Sequence, residues 1–249
     1  METFLLFLLV GVLAQAVDGA LGMAYGVISS SVLLAFGVPP AMASASVHGA
    51  EVFTTAASAG SHVWHRNIDW RLLAPLAIAG VIGGCLGAYV LSGIQGDVIK
   101  PFIVTYLAVI GAYIVWRAGH EIKPRRLPSW LMAPTGAVGG FLDAVGGGGW
   151  GPTVASTLVA AGQDPRRAIG TVNTAEFLLA LSISIAFIGS LGFAAFTLAT
   201  VGLIIGGVIA APFGAMVASR VSPRKLLVAV SIVLIATSAF SIYKAWPIF

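Results

Sequence analysis

Apolar runs alternate with short polar joins along the whole chain. The runs fall at about 4–17, 20–36, 41–63, 72–92, 98–116, 130–142, 148–161, 168–187, 193–218 and 226–243. A helix needs roughly 17–25 residues to cross a bilayer. The third, fourth and fifth runs of each group of five reach or approach that length. The first two of each group are short or broken by glycine. Turn formers mark the joins, as in Gly37-Val38-Pro39-Pro40 and Gly162-Gln163-Asp164-Pro165. The pattern predicts an all-α polytopic membrane protein in which the first two segments of each half are broken or re-entrant helices.

The two groups of five are related. At an offset of 125 the chain aligns without a gap from Asp18 to Glu51. Asp18 falls on Asp143, Gly22 on Gly147, Gly26 on Gly151, Gly37 on Gly162 and Pro40 on Pro165. Ala50-Glu51 falls on Ala175-Glu176, and Tyr25 faces Trp150. After a slip of two residues, Gly83-Gly84 meets Gly206-Gly207. Charged and proline positions match along with the apolar ones, so the halves read as a duplication. They divide the chain into a first repeat (1–120), a linker (121–128) and a second repeat (129–249).

Basic residues orient the halves. Arg66 and Arg71 follow the third run, and Arg117, Lys123, Arg125 and Arg126 follow the fifth. In the second half the pattern moves: Arg166 and Arg167 precede the third run, while Arg220, Arg224 and Lys225 follow the fourth. Because Lys and Arg mark cytoplasmic joins, equivalent joins fall on opposite sides of the membrane. This is the pattern of an inverted-topology repeat, an architecture of many secondary transporters. It puts the linker inside and both termini outside.

Composition fits that picture. Of 249 residues, 58% are hydrophobic and 9% charged, against about 25% charged in a soluble domain. The net charge of +4 is a topology signal and does not point to nucleic acid. Cys85 is the single cysteine, so no internal disulfide forms, and its small-residue surroundings suit packing. No Cys/His spacing suggests a metal, and nothing calls for a cofactor. The first run carries Glu2 and no Lys or Arg ahead of it, unlike a signal peptide, so it reads as part of the mature protein.

Lys100 stands at the edge of the fifth run, and no other Lys or Arg enters one. A bound anion would therefore have to be held by helix N-termini, glycine N–H groups, hydroxyls, amides and a histidine. The two glycine-rich breaks, with Gly22, Tyr25 and Gly26 in one and Gly147, Gly148, Gly149, Trp150 and Gly151 in the other, are the candidates. Ser29, Ser30, Ser31 and Thr153 add hydroxyls. The same glycines also suit close helix packing. Glu51 and Glu176 are matched intramembrane carboxylates, functional candidates by default. His48 and Asn173 lie three residues earlier on the same helical faces, preceded by Ser46 and Thr171, and these four are further candidates for substrate contact. Two roles remain open for the glutamates: exchanging protons with His48 as a substrate moves, or bracing the broken helices. Asp18 and Asp143 sit where they would cap the helices that follow. His62, His65 and Trp64 read as an interfacial belt, and most aromatic residues other than Tyr25 and Trp150 as lipid-facing or interfacial. No nucleophile–base set of an enzyme emerges.

The repeated glycine-rich break (Gly146 to Gly149 and Gly151), the Gly162–Pro165 turn, the Ala168–Asn173 stretch and the later Gly-Gly pairs resemble the TauE/SafE family of bacterial inner-membrane sulfite exporters. The likeness covers nearly the whole chain. It implies a secondary transporter of sulfite, an organosulfonate or a related small sulfur oxyanion, linked to the proton gradient, with substrate bound between the breaks. Gly22-Met23-Ala24-Tyr25-Gly26 stands where the family more often has a glycine triplet. Members that carry thiosulfate use several cysteines, and a lone Cys85 argues against that chemistry. A passive anion channel of the same fold is the alternative, and a homo-oligomer is compatible with either.

Single cysteines placed at Arg66 and at Arg220, in a chain with Cys85 replaced, are expected to be labelled from the cytoplasmic side only. Labelling of the two from opposite sides would overturn the orientation of the halves.

Overall fold

A computed structural model describes residues 2–120, 128–213 and 220–245. The linker positions 121–127, with Lys123, Arg125 and Arg126, lie outside the described residues. Every regular element among the described residues is helical.

The first half consists of α1 (Glu2–Leu21), α2 (Tyr25–Ala35), α3 (Pro40–Trp64), α4 (Trp70–Gly93) and α5 (Gly96–Ala118). The second consists of α6 (Met132–Gly146), a π-helical turn (Gly151–Ala155) running into α7 (Ser156–Ala160), α8 (Pro165–Leu191), α9 (Leu198–Ala210) and α10 (Pro223–Ala245). Five of these, α1, α4, α5, α8 and α10, are long and apolar enough to cross a membrane. The reading of a short first segment is corrected for α1. It runs four residues past the apolar run, through Asp18, and its 20 residues make about 30 Å of helix. Its counterpart α6 stops at 15 residues.

Local chemistry sets the ends. Pro40 and Pro165 occupy first-turn positions where a missing N–H costs nothing. The Asp164 carboxylate accepts from the Arg166 and Arg167 N–H groups at 3.1 and 3.2 Å. Asp69 caps α4 through the Arg71 N–H at 3.0 Å. Thr197 and Thr200 form a reciprocal capping box at the start of α9.

The principal packing pairs are α1 with α9, α6 with α4, α3 with α8, and α5 with α10. Each pair takes one helix from either half, and exchanging the halves maps the set onto itself. Neither half therefore buries its faces alone. Close approach depends on glycine. A Cβ on Gly140 would overlap the Gly80 backbone, one on Gly83 the Ala137 carbonyl, and one on Gly206 the Leu8 carbonyl. In lipid, such close contacts replace the hydrophobic drive that packs soluble helices.

Two hydroxyls fix where the fourth helix of each half begins. The Asp69 N–H, just before α4, donates to Thr171 Oγ1 of α8 at 2.9 Å. Thr200 Oγ1 of α9 donates to Ser46 Oγ of α3 at 2.8 Å. Ser46 lies near the start of α3, whereas Asp69 follows its end. The starts of α4 and α9 therefore lie at opposite ends of the α3–α8 pair. Apolar side chains cover the outer surface, with Ile78, Ile82, Tyr89 and Phe102 all at least 64% exposed. The interior of α3 carries Ser44, Ser46, His48, Glu51, Thr54 and Thr55, all buried.

Gly83→Leu is expected to lower stability by at least about 1–3 kcal/mol, because the neighbour it strikes is backbone that cannot turn aside. Gly60→Ala meets open space on α3 and is expected to be neutral or to raise stability by up to about 1 kcal/mol. Thermal melts of the purified variants test both signs.

Candidate functional site

Each break is built on one aspartate. In the first, the Gly22 N–H returns to the Asp18 carbonyl at 2.5 Å and ends α1. The Asp18 carboxylate then accepts the N–H groups of Ala24 at 2.7 Å and Tyr25 at 3.2 Å, where α2 starts. In the second, the Asp143 carbonyl accepts from Gly147 and, at 3.0 Å, from Gly148. The Asp143 carboxylate accepts the Trp150 N–H at 2.8 Å. Gly22 and Gly147 share φ +68°, a left-handed turn that favours glycine. Gly148 and Gly149 follow at φ +151° and +147°, which other residues rarely adopt.

The breaks touch. A Cβ on Gly26 would lie 2.8 Å from Gly148 Cα, and one on Gly151 would lie 2.7 Å from Met23 Cα. Gly22 packs under the Ile169 side chain. The Tyr25 and Trp150 rings are buried. The Tyr25 hydroxyl donates to the Leu203 carbonyl at 2.9 Å, and Trp150 Nε1 donates to the Val172 carbonyl at 3.2 Å. Trp150 also lies against Gly80.

A buried polar cluster adjoins this contact. His48 Nδ1 lies 2.8 Å from the carbonyl of Ser44 on its own helix. His48 Nε2 lies 3.1 Å from Asp143 Oδ2 and 4.0 Å from Glu51 Oε2. One ligand-type atom from each of the three residues falls within 4.8 Å of the others, close enough to share a cation. Ser44 Oγ donates to the Ala144 carbonyl at 2.5 Å, tying α3 to the end of α6. Glu51 Oε1 lies 2.7 Å from the position of a Cβ on Gly26, whereas Glu51 Oε2 is buried without a hydrogen-bond partner. Asp18 and Glu176 lie within electrostatic range of Glu51, so carboxylates from α1, α3, α6 and α8 share one interior.

The remaining residues singled out in the sequence have other partners. Ser46 and Thr171 hold the starts of α9 and α4. Asn173 Nδ2 donates to Ser58 Oγ at 2.9 Å, so it does not repeat the His48 contact. Ser30 Oγ donates to the Gly146 carbonyl at 3.1 Å, Ser31 to Ile28, and Thr153 to Gly149. Ser29 Oγ is buried and unpartnered. Cys85 is half-buried, with its sulfur 3.8 Å from the Ser182 carbonyl.

Sequence reading missed three features. Tyr106 carries no site reading in the sequence, yet its hydroxyl is buried without a partner and abuts Gly149. Its place in the middle of the fifth run, away from the interfacial belt, was the available signal. Arg117 reaches Ser156 at the head of α7 from the end of α5. The bond of His48 to Asp143, 95 residues away, leaves no mark in local spacing.

The family model for the sulfite exporter TauE/SafE matches residues 7–241. The chain is 42% identical over 254 residues to the probable membrane transporter protein YtnM of Bacillus subtilis (strain 168), which covers 99% of this chain and 85% of that protein. It is 25% identical over 201 residues to a probable membrane transporter protein of Xylella fastidiosa (strain Temecula1), covering 75% of this chain and 74% of that one. No solved structure matches it.

Tyr25→Phe removes one hydrogen bond and is expected to cost about 1 kcal/mol of stability. Asp143→Ala strands the Trp150 N–H and breaks the His48 contact, with an expected loss of about 3–5 kcal/mol. Thermal melts of the two variants in detergent check this order, and an Asp143→Ala protein as stable as wild type would refute the capping role.

Proposed function

Because this chain belongs to the sulfite exporter TauE/SafE family, we propose that it carries sulfite or a related small sulfur oxyanion or organosulfonate across the bacterial inner membrane by proton-coupled alternating access. It is a multi-pass membrane transporter. The finer reading rests mainly on one observation: the glycine breaks of the two halves meet beside the buried His48–Glu51–Asp143 cluster.

The halves act as an inverted repeat. The starts of α4 and α9 at opposite ends of the α3–α8 pair support this, and so does the distribution of Arg and Lys. With Gly26 against Gly148, the breaks close the path between the two faces, and the substrate passes when they part. Tyr106 Oη and Ser29 Oγ, buried and unpartnered, supply hydroxyl donors beside the glycine N–H groups. Gly147 and Gly149 take part from the second break.

The surrounding carboxylates make protons part of the cycle. An anion about 4 Å from one ionised carboxylate is opposed by about 4 kcal/mol at an effective dielectric constant of ~20. Anion entry therefore requires the acids to carry protons or to be paired. Divalent sulfite leaving with one proton still moves negative charge outward, which an inside-negative potential favours by about 2.3 kcal/mol per charge per 100 mV. Export follows for that substrate. A monovalent sulfonate moving with one proton is electroneutral, and its direction follows the pH gradient.

Purified protein is expected to bind at least one of sulfite, sulfate, thiosulfate, sulfoacetate and taurine in a calorimetric screen. In proteoliposomes, flux of that ligand is expected to saturate and to respond to an imposed pH gradient. Flux that follows voltage without saturation would identify a channel, and no binding of any sulfur oxyanion would overturn the substrate assignment.

A further inference from the structure

We propose that the Tyr106 hydroxyl and the Gly149 N–H form a two-donor seat for one oxygen of the transported oxyanion, and that this seat belongs to the second glycine break alone. This deepens the transport reading above and rests on it for the identity of the anion.

The two breaks satisfy their amides differently. At the offset of 125 residues, Gly149 and Trp150 stand where the first break has Ala24 and Tyr25. The Asp18 carboxylate accepts both amides of the first pair, Ala24 N–H at 2.7 Å and Tyr25 N–H at 3.2 Å. The Asp143 carboxylate accepts only one of the second pair, the Trp150 N–H at 2.8 Å, while its other oxygen faces His48 at 3.1 Å. The Asp143 carbonyl takes Gly147 and Gly148. The Gly149 N–H is left without an acceptor among the described residues, although Gly149 is buried. Buried amides are almost always paired in folded proteins, so an unpaired one calls for a ligand or a water to complete it.

A second unpaired donor lies against the same residue. Tyr106, on α5, rests its ring on Gly146, where a Cβ would lie 2.5 Å from Tyr106 Cε1. Its hydroxyl sits on Gly149, where a Cβ would run into Oη. That hydroxyl is buried with no partner among the described residues. Gly149 thus serves the seat twice: it takes φ +147°, which other residues rarely adopt, and it has no Cβ to hold the hydroxyl away. An oxygen of sulfite or of a sulfonate carries lone pairs and no hydrogen, so it can accept from the N–H and the O–H together. The first break offers no such pair. Its Ala24 and Tyr25 amides are taken by Asp18, and the Tyr25 hydroxyl donates to the Leu203 carbonyl. It shapes the site by closing on the second break, with Gly26 against Gly148.

Tyr106→Phe in the full-length protein tests the proposal, because it keeps the ring on Gly146 and removes only the hydroxyl. Without ligand, the variant is expected to melt at or above the wild-type temperature, since a hydroxyl buried unpaired costs stability. A lower melting temperature would mean that the protein itself holds the hydroxyl, and it overturns the proposal before any ligand is added. Calorimetry then compares wild type and variant with the five sulfur compounds named above and with nitrate and formate, two oxyanions without sulfur. Every anion that binds wild type is expected to bind the variant at least about tenfold more weakly, the effect of losing one hydrogen bond to a charged group. Unchanged affinity for a bound sulfur anion overturns the seat and leaves the transport reading standing. If no sulfur compound binds wild type but nitrate or formate does, with the same drop in Tyr106→Phe, the seat stands and the sulfur assignment falls. If none of these anions binds wild type, both fall.

Discussion

Everything in this molecule depends on two aspartates that each end one helix and begin another. A chain that breaks inside a membrane leaves N–H and C=O groups with no water to meet them. Asp18 and Asp143 answer that need at equivalent places. The carbonyl of each holds the glycine that closes the incoming helix. The carboxylate of each receives N–H groups at the start of the outgoing segment. The break can therefore be dry without being unsatisfied. Because the bonds are side-chain bonds, their strength depends on what else the carboxylate faces.

At that point the two copies diverge. Asp18 faces only its own break through the bonds described. Asp143 also faces His48 and so belongs to a second network. The second break is also the more unusual, with three consecutive left-handed glycines and a π-helical turn after them, a local geometry frequent at functional sites. Where α3 carries His48, α8 carries Asn173, which bonds Ser58 instead. Meanwhile Tyr25, bonded to Leu203 of the other half, Trp150, lying against Gly80, and the Ser46 and Thr171 hydroxyls, each holding a helix of the other half, keep the halves in register.

Much of the fold was legible because its causes are local and periodic. Run lengths gave the membrane class. Offset matches paired Gly22 with Gly147, and the two share φ +68°. The turns read at Gly37–Pro40 and Gly162–Pro165 stand where α3 and α8 start. The site was less legible. Thr171, Ser46 and Asn173 were candidates for substrate contact by residue type, and the fold engages them in helix-to-helix bonds instead. Tyr106 was overlooked because a tyrosine in an apolar run is ambiguous until its neighbours are known. A helix pattern tells which face is apolar, not which glycine from 43 residues further on will sit over a hydroxyl.

What the sequence by itself determined is the membrane-embedded class, the position of the breaks and the family. Each is written in hydropathy, spacing or residue identity along one strand of chain. What only the tertiary structure decided is which partners those residues take. Gly26 lies on Gly148, Glu51 beside Gly26, and His48 against Asp143, all across large separations in sequence. The reason is physical: a buried polar group must find a partner, and several helices could have offered one. Only the packed arrangement, with each half supplying one helix to every major contact, selects among them.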